Sequence, residues 1–284
     1  RVIKVEIPKS GDDSRAFGPF VNNKSAYYMS INRGKESIAL NLKSSADRDI
    51  FEALLEDADV LVENFRGNTM ERLNYGWETL HKRYPKLIYA ACSGFGHTGP
   101  YAERPAYDMV VQGLGGVMSL TGQPGGPPTR VGTSIGDITA GLFTAIGISS
   151  ALHHRNNTGE GIKVDVAMLD SQLAILENAL ARFFATGEVP GPLGARHPTI
   201  VPFQSYKTLD SYVIIAAGND SLFQTLCDTL DRPELAIDER FISNDSRGIY
   251  VDELKLEIEK QLNTYPTEHW LHLLGKAGVP CAPI

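Results

Sequence analysis

Residues 59–96 read DVLVENFRGNTMERLNYGWETLHKRYPKLIYAACSGFG, and this stretch decides the fold class. Val60–Glu63 and Leu87–Cys92 are short apolar runs without polar alternation, the pattern of strands buried on both faces. Between them, Thr69–Leu73 and Trp77–Arg83 read as short helices. Such alternation implies a parallel sheet covered by helices, an α/β fold.

Working outward, Val2–Glu6 reads as a strand. Ser45–Ala58 reads as a helix with Ile50, Ala53 and Leu54 at helical spacing. Downstream comes a glycine- and proline-rich middle, GFGHTGPYAERPAYD (94–108) and GLGGVMSLTGQPGGPPTRVGTSIGD (113–137), whose turns let backbone approach a ligand closely. Ile138–His154 reads as one long apolar helix, Lys163–Ala167 as a strand and Asp170–Phe184 as a second long helix. At Gly187 the character changes. GEVPGPLGARHP (187–198) reads as a linker. A strand pair follows, Phe203–Lys207 and Tyr212–Ala216, with helices Ser221–Leu230, Val251–Gln261 and Thr267–Ala277. The expected organisation is a large Rossmann-like domain over residues 1–186, a linker at 187–202 and a small α+β domain at 203–284.

The chain of 284 residues carries 42% hydrophobic and 21% charged residues, an ordinary globular balance. Its net charge of −7 argues against a general nucleic-acid binder, which would present a basic face. No apolar run approaches the roughly 18 residues of a membrane span, so no membrane partner is expected. Three cysteines, Cys92, Cys227 and Cys281, without CxxC spacing, form neither a disulfide framework nor a zinc site and fit a reducing, cytoplasmic compartment. No HExxH or comparable spacing suggests a metal. Arg1 runs at once into the strand-like VIKVEI and the chain stops at VPCAPI, so truncation at both ends is expected.

Asp137, in Gly136-Asp137-Ile138, is the first candidate for chemistry. It reads as the N-cap of the long apolar helix. A carboxylate held ionised and oriented by a helix N-terminus also has the properties of a covalent acyl acceptor, and the two roles are compatible. Asp170, in AMLDSQ, reads first as a cap. Arg33, Lys35, Arg66 and Arg72 lie near the ends of predicted strands, where α/β sheets meet phosphates; each alone also reads as solvated surface charge. Gly94, Gly96 and Gly99 do not complete a dinucleotide fingerprint, and no Walker A motif occurs. His153 and His154 read as C-terminal helix caps. Arg196 and His197 are candidates for a substrate carboxylate, with a surface loop as the plainer reading.

VIKVEIPKSGDDSR (2–15), NRGKESIALNLK (32–43), DVLVENFRGNTMERLNYGWETL (59–80), PKLIYAACSGFGHTGPYAERPAYDMVVQGLGG (85–116), GDITAGLFTAIGISSALHHRNNTGEGIKVDVAMLDS (136–171) and GVPCAPI (278–284) together, in this order, resemble CoA-transferase family III, also called the CaiB/BaiF family. The stretch HPTIVPFQSYKT (197–208) is most similar to members that use succinyl-CoA and dicarboxylic acids. The resemblance implies a Rossmann-like domain built from both chain ends, a smaller domain and an interlocked homodimer. It implies coenzyme A and acyl-CoA as substrates, with no permanently bound cofactor, and a carboxylic acid as the other substrate. It places the catalytic aspartate on Asp137, CoA contacts on Leu40, Asn64, Arg72 and Leu73, and the tyrosine near the acyl group on Tyr107. The reaction so implied moves CoA through aspartyl anhydride and aspartyl-CoA thioester intermediates.

The racemase branch of that family carries histidine where Tyr107 stands. Tyrosine, with an unperturbed pKa near about 10, is a poor base at neutral pH, which favours transfer over α-methylacyl-CoA racemisation. A catalytically inactive acyl-CoA-binding homologue is the other alternative. The family's first strand, helix and CoA-binding turn, its closing segment and a glycine-rich lid have no counterpart in this sequence.

Overall fold

The computed structural model describes all residues from Arg1 to Ile284. Backbone packing divides the chain into two compact units, Arg1–Val117 with Val131–Leu180 and Met118–Arg130 with Ala181–Ile284. The sequence expectation drew one junction, at 187–202. Here the chain leaves the first unit twice, because Met118–Arg130 packs with the C-terminal half: Gly194 N–H bonds Gly122 C=O at 2.8 Å.

The first unit holds two parallel sheets. Strands β1 (Ile3–Glu6) and β2 (Glu36–Ala39) pair in register Ile3 to Glu36. After helix α1 (Ser45–Glu56), strand β3 (Val60–Glu63) pairs with β4 (Ile88–Ser93), which follows helix α2 (Trp77–Arg83). Helices α3 (Asp108–Leu114) and α4 (Ile135–Thr158) precede β5 (Lys163–Ala167), which pairs on the other side of β4. Helix α5 (Met168–Ala174) follows directly.

β4 is central and almost wholly buried, as its uninterrupted apolar run requires. One face carries Tyr89 and Ala91 into a core with Leu40, Phe51, Leu55, Met70, Tyr75 and Leu80. Val5 and Ile38 of the β1–β2 sheet pack on the same core, so the two sheets share it. On the other face Cys92 meets Val111, Ala140 and Met168, contributed by α3, α4 and α5.

Helix α4 begins three residues before the expected start and runs past His154. Its C-terminus is capped by left-handed Gly159, whose N–H bonds Arg155 C=O, and not by the histidine pair. By length and composition this 24-residue helix is apolar enough to cross a membrane, contrary to the sequence reading. Gly136, Ala140, Thr144 and Ala151 form a buried stripe along it, and the helix packs on β4 and β5. That is the packing of a helix covering a sheet. The expected single helix Asp170–Phe184 is broken instead into α5 and Asn178–Thr186, with Glu177 between them at φ +40°. No glycine or proline marks that break.

The second unit contains strands β6 (Phe203–Lys207) and β7 (Tyr212–Ala216), helices α6 (Asp220–Thr229), α7 (Val251–Leu262) and α8 (Thr267–Ala277), and strand β8 (Cys281–Pro283). The sheet is antiparallel in the order β8–β7–β6. Alternate residues Val213 and Ile215 point into a core with Leu226, Leu254, Ile258 and Trp270. The β6–β7 hairpin caps α8: Asp210 Oδ1 accepts from Thr267 N–H and Oγ1–H, both at 2.8 Å.

Candidate active site

In an open parallel sheet, ligands meet the carboxyl ends of the strands, where loops and helix N-termini converge. In this chain those ends carry Asn64 after β3, the Gly94–Gly99 turn after β4 and the start of α5 after β5. Helix α4 brings Asp137 into the same unit.

Asp137 lies in the first turn of α4 but is not its cap; Ser134 holds that position, without a side-chain bond. One amide of that first turn is met from another helix. Asp108, the first residue of α3, accepts the Gly136 N–H on Oδ1 at 2.8 Å. Its Oδ2 accepts from Gln112 Nε2 at 2.8 Å, and Gln112 Oε1 accepts Val131 N–H at 2.9 Å. Buried Gln172 of α5 donates to Thr139 Oγ1 at 3.0 Å, bracing the next turn of α4. A side chain at position 136 would not fit: a Cβ there would sit 2.7 Å from Val111 Cγ2 and 3.1 Å from Asp108 Oδ1.

The Asp137 carboxylate accepts no hydrogen bond from the chain, and its residue keeps open surface. Enough protein surrounds it to withdraw part of its hydration. That burial pushes the carboxyl above the usual aspartate range, and the negative Asp108 adds to the push. The exposed side of Asp137 and this partial burial are compatible, because the open face is only one side of the group. A carboxylate less well solvated than in water is a stronger nucleophile, while the α4 N-terminus favours its charged form. Cys92, half-buried behind it on β4, has its thiol pushed up by burial, so it is poorly suited to compete as a nucleophile.

Tyr107 is the N-cap residue of α3 and 82% exposed, adjacent in sequence to Asp108. A chain of contacts runs from it to the β3 end. Gly94 packs so closely on Ala106 that a Cβ would lie 2.3 Å from the Ala106 Cβ. Asn68, beyond β3, donates to Glu103 at 2.8 Å. Phe95 and Tyr101 meet edge to face, with the Arg104 guanidinium 4.3 Å over the Tyr101 ring.

The other expected residues fall at several depths. Asn64 is exposed at the end of β3. Arg72 is exposed at the end of the short helix Thr69–Arg72 and donates to Thr69 Oγ1 at 3.0 Å; Leu73 follows, half-buried, its carbonyl held by Arg48. Leu40 is a core residue, 5% exposed. Lys35 donates to Ile31 C=O and Asn32 Oδ1. Asp170, like Asp137, stands in a first helical turn and not at the cap. Arg196 and His197 belong to the second unit. His197 Nδ1 accepts the N–H groups of Thr199 and Ile200, and its ring stacks on Phe203 at 5.2 Å, so the imidazole shapes its own turn. No cluster of His, Cys, Asp and Glu capable of holding a metal occurs.

The sequence reading missed Asp108, Gln112 and Gln172. Only the Tyr107-Asp108 adjacency and the i, i+4 spacing of Asp108 and Gln112 on one helix face could have pointed to them.

The sequence profile of CoA-transferase family III matches residues 1–284. The chain is 50% identical to acetyl-CoA:oxalate CoA-transferase of Acetobacter aceti over 100% of its own length and 73% of that protein's. It is 42% identical to succinyl-CoA:mesaconate CoA-transferase of Haloarcula hispanica, again over 100% of this chain and 73% of the relative. The crystal structure of a CaiB/BaiF family protein from Brucella suis superposes with a TM-score of 0.86 at 40% identity, covering 100% of this chain and 76% of that one. A helix-covered parallel fold, an open aspartate at a helix N-terminus and these likenesses converge: the chain belongs to CoA-transferase family III, enzymes that exchange coenzyme A between acyl-CoA thioesters and carboxylic acids.

Proposed function

We propose that Asp137 is the covalent carrier in a transfer of CoA from a small acyl-CoA to a dicarboxylic acid. Acetyl-CoA and succinyl-CoA are the first donors to test, and oxalate and mesaconate the first acceptors, since the two relatives above act on these. The observation that carries the reading is the Asp137 carboxylate, open on one side, partly desolvated and unclaimed by any hydrogen bond.

In the proposed sequence, Asp137 attacks the thioester carbonyl and the C–S bond breaks. CoA leaves as thiolate and a mixed anhydride remains. The thiolate attacks the aspartyl carbonyl of that anhydride, expelling the donor carboxylate and leaving an aspartyl-CoA thioester. The acceptor carboxylate attacks this thioester, again releasing thiolate. The thiolate attacks the acceptor's carbonyl in the second anhydride, forming the new acyl-CoA and restoring the Asp137 carboxylate. No proton has to move, because each nucleophile and each leaving group is an anion. Backbone amides of the glycine-rich turns would steady each oxyanion, at about 3 kcal/mol per donor. Asn64 and Arg72, together with Leu40 and Leu73, would hold CoA, and Tyr107 would orient the acyl group.

Trapping tests the scheme. The full-length protein is incubated with acyl-CoA and quenched with hydroxylamine or borohydride, and the modified peptide is mapped. The label belongs on Asp137; a label elsewhere, or full transfer activity in Asp137→Ala, refutes the assignment. Incorporation of solvent deuterium at the α-carbon without any acceptor acid would mark a racemase instead. CoA binding without turnover would mark an inactive homologue. Arg196→Ala tests the expected role of that residue through the KM for the acceptor.

A homodimer is proposed as the working form. Ile138, Leu142 and Ile146 leave an exposed apolar stripe on α4, 46–61% accessible, which a second copy would cover. Light scattering on the eluting protein tests this; a monomer at micromolar concentration contradicts it.

A further inference from the structure

A second buried charge cluster lies at the same edge of the sheet, and the transfer scheme does not use it. Glu63 ends β3 with its side chain 2% exposed, and His97, in the turn after β4, has its side chain 6% exposed. His97 Nε2 lies 3.2 Å from Glu63 Oε1, an ion-pair contact without the alignment of a hydrogen bond. Tyr89, fully buried on β4, donates its hydroxyl to the same oxygen at 3.1 Å. The other oxygen of Glu63 reaches forward over Asn64 and accepts the Phe65 N–H at 2.7 Å. The His97 backbone is held in turn: its N–H is shared between Asp165 Oδ1 and Oδ2 on β5, at 3.2 and 3.1 Å, and Lys163 stands 3.7 Å from Asp165.

Two features set this arrangement apart from an ordinary surface pair. Both members are buried, where an uncompensated carboxylate would cost several kcal/mol, so the contact must be kept. The bonds of Glu63 also close over one residue, Asn64, which is exposed. The side chain of Glu63 therefore braces the backbone on both sides of Asn64, while His97 ties the glycine-rich turn to that brace.

We infer that Glu63 and His97 are positioning residues, a buried pair that locks Asn64 and the Gly94–Gly99 turn into one rigid edge for receiving the acyl-CoA. This rests on the reading of the site as the seat of CoA transfer. Neither residue touches the reacting atoms; each acts through the backbone it holds.

The arrangement has a pH signature. The groups facing His97 are Glu63 from β3, Tyr89 from β4, and Asp165 and Lys163 from β5. The contact with Glu63 raises the imidazole above the ordinary histidine range, against the opposing effect of its burial. A raised folded-state pKa means the pair is complete at low pH and loses its charge compensation as pH climbs through that value. The brace should loosen over that window.

The test uses the full-length enzyme and separates KM from kcat. In His97→Gln, which keeps a polar group beside Glu63 but removes the charge, the KM for acyl-CoA should rise about five- to tenfold, as expected for one weakened charge-assisted contact. The KM for the acceptor acid should stay within about twofold, because the variant disturbs CoA seating and not the carrier, while kcat should fall alongside the acyl-CoA effect because the loosened turn also supplies oxyanion amides. Glu63→Gln should move the same constant in the same direction. In the wild type, the acyl-CoA KM should climb as pH rises above the ordinary histidine value, about 6.5, and in His97→Gln the profile should be flat. An unchanged acyl-CoA KM in folded His97→Gln, or a fall in kcat alone, overturns the inference. Should both variants misfold, the wild-type profile decides, since it needs no substitution: a flat profile overturns the inference equally. The trapping experiment on wild-type Asp137 is independent of these. A label on Asp137 with an unaltered KM sinks only the positioning role; a missing label sinks the transfer reading itself.

Discussion

Asp108 Oδ1 accepts the Gly136 N–H at 2.8 Å, so the N-terminus of the longest helix is completed by a carboxylate from a different helix. The bond sits one residue from Asp137. It fixes the backbone that carries the proposed nucleophile and places a second negative charge near it.

Gly136→Ala tests that bond. Alanine ordinarily stabilises a helix interior by about 1 kcal/mol relative to glycine. Here the added methyl would press on Val111 and Asp108. We expect the sign to reverse, with a loss of about 1–2 kcal/mol from overpacking. Transfer activity should fall with it, because the Asp137 backbone shifts. Thermal melts and turnover of purified variant check both; a variant that melts higher and retains full turnover contradicts the geometry.

The stability of the wild type relative to Asp137→Asn should depend on pH. Burial, reinforced by Asp108, raises the Asp137 carboxyl in the folded chain. A raised carboxylate means the folded state holds the proton more tightly than the unfolded state does. Ionisation therefore works against folding, and stability falls as pH rises from the unfolded aspartate value, about 3.9, through the folded one. The wild type should lose ground to the variant across that window and hold a constant gap above it. Chemical denaturation at a series of pH values checks this; a gap widening in favour of the wild type would falsify the cause assigned here.

Glu6 carries the opposite sign. Its buried carboxylate accepts from Arg15 Nε and a terminal guanidinium nitrogen, the Ser37 hydroxyl, the Asp12 N–H and the Tyr28 hydroxyl. Its pairing with Arg15, first among these, holds it well below the usual carboxylate range. A depressed folded pKa contributes stability that is complete above the unfolded value and is lost as pH falls below about 4.3 toward the folded one. Glu6→Gln should cost about 1–3 kcal/mol at neutral pH, and the difference should shrink in acid. Paired melts at pH 7 and pH 3 read it out.

Arg247 does comparable work in the second unit. Its side chain is 1% exposed; Nε donates to Val201 C=O at 2.7 Å, one terminal nitrogen to Phe241 C=O at 3.0 Å and the other to Asp220 at 2.6 Å. The guanidinium lies 4.4 Å over the Phe223 ring. Arg247→Met fills similar volume but leaves two buried carbonyls unpaired, at a cost of about 3 kcal/mol. Hydrogen exchange should show α6 and β6 opening more readily than β3 and β4. Uniform loss of protection in both units would contradict a local role.

What the sequence alone determined were the elements whose signal is local. Val60–Glu63, Lys163–Ala167, Phe203–Lys207, Tyr212–Ala216, Trp77–Arg83 and Thr267–Ala277 all fall at the residues that apolar runs and periodicity mark. Burial on one or two faces of a strand, or on one stripe of a helix, writes itself into neighbouring positions. The family too was legible, because six motifs stand in one order along the chain. Tertiary structure alone decided where α4 begins, since Ile135-Gly136 is a weak start until Asp108 supplies the missing acceptor from another helix. It decided that the helix after β5 breaks at Glu177, where no local residue demands it. It also brought Glu63 and His97 together from the ends of adjacent strands. Contacts between residues distant in sequence leave no period and no spacing to read. They are paid in the packed state, where a buried polar group must find a partner wherever the fold presents one.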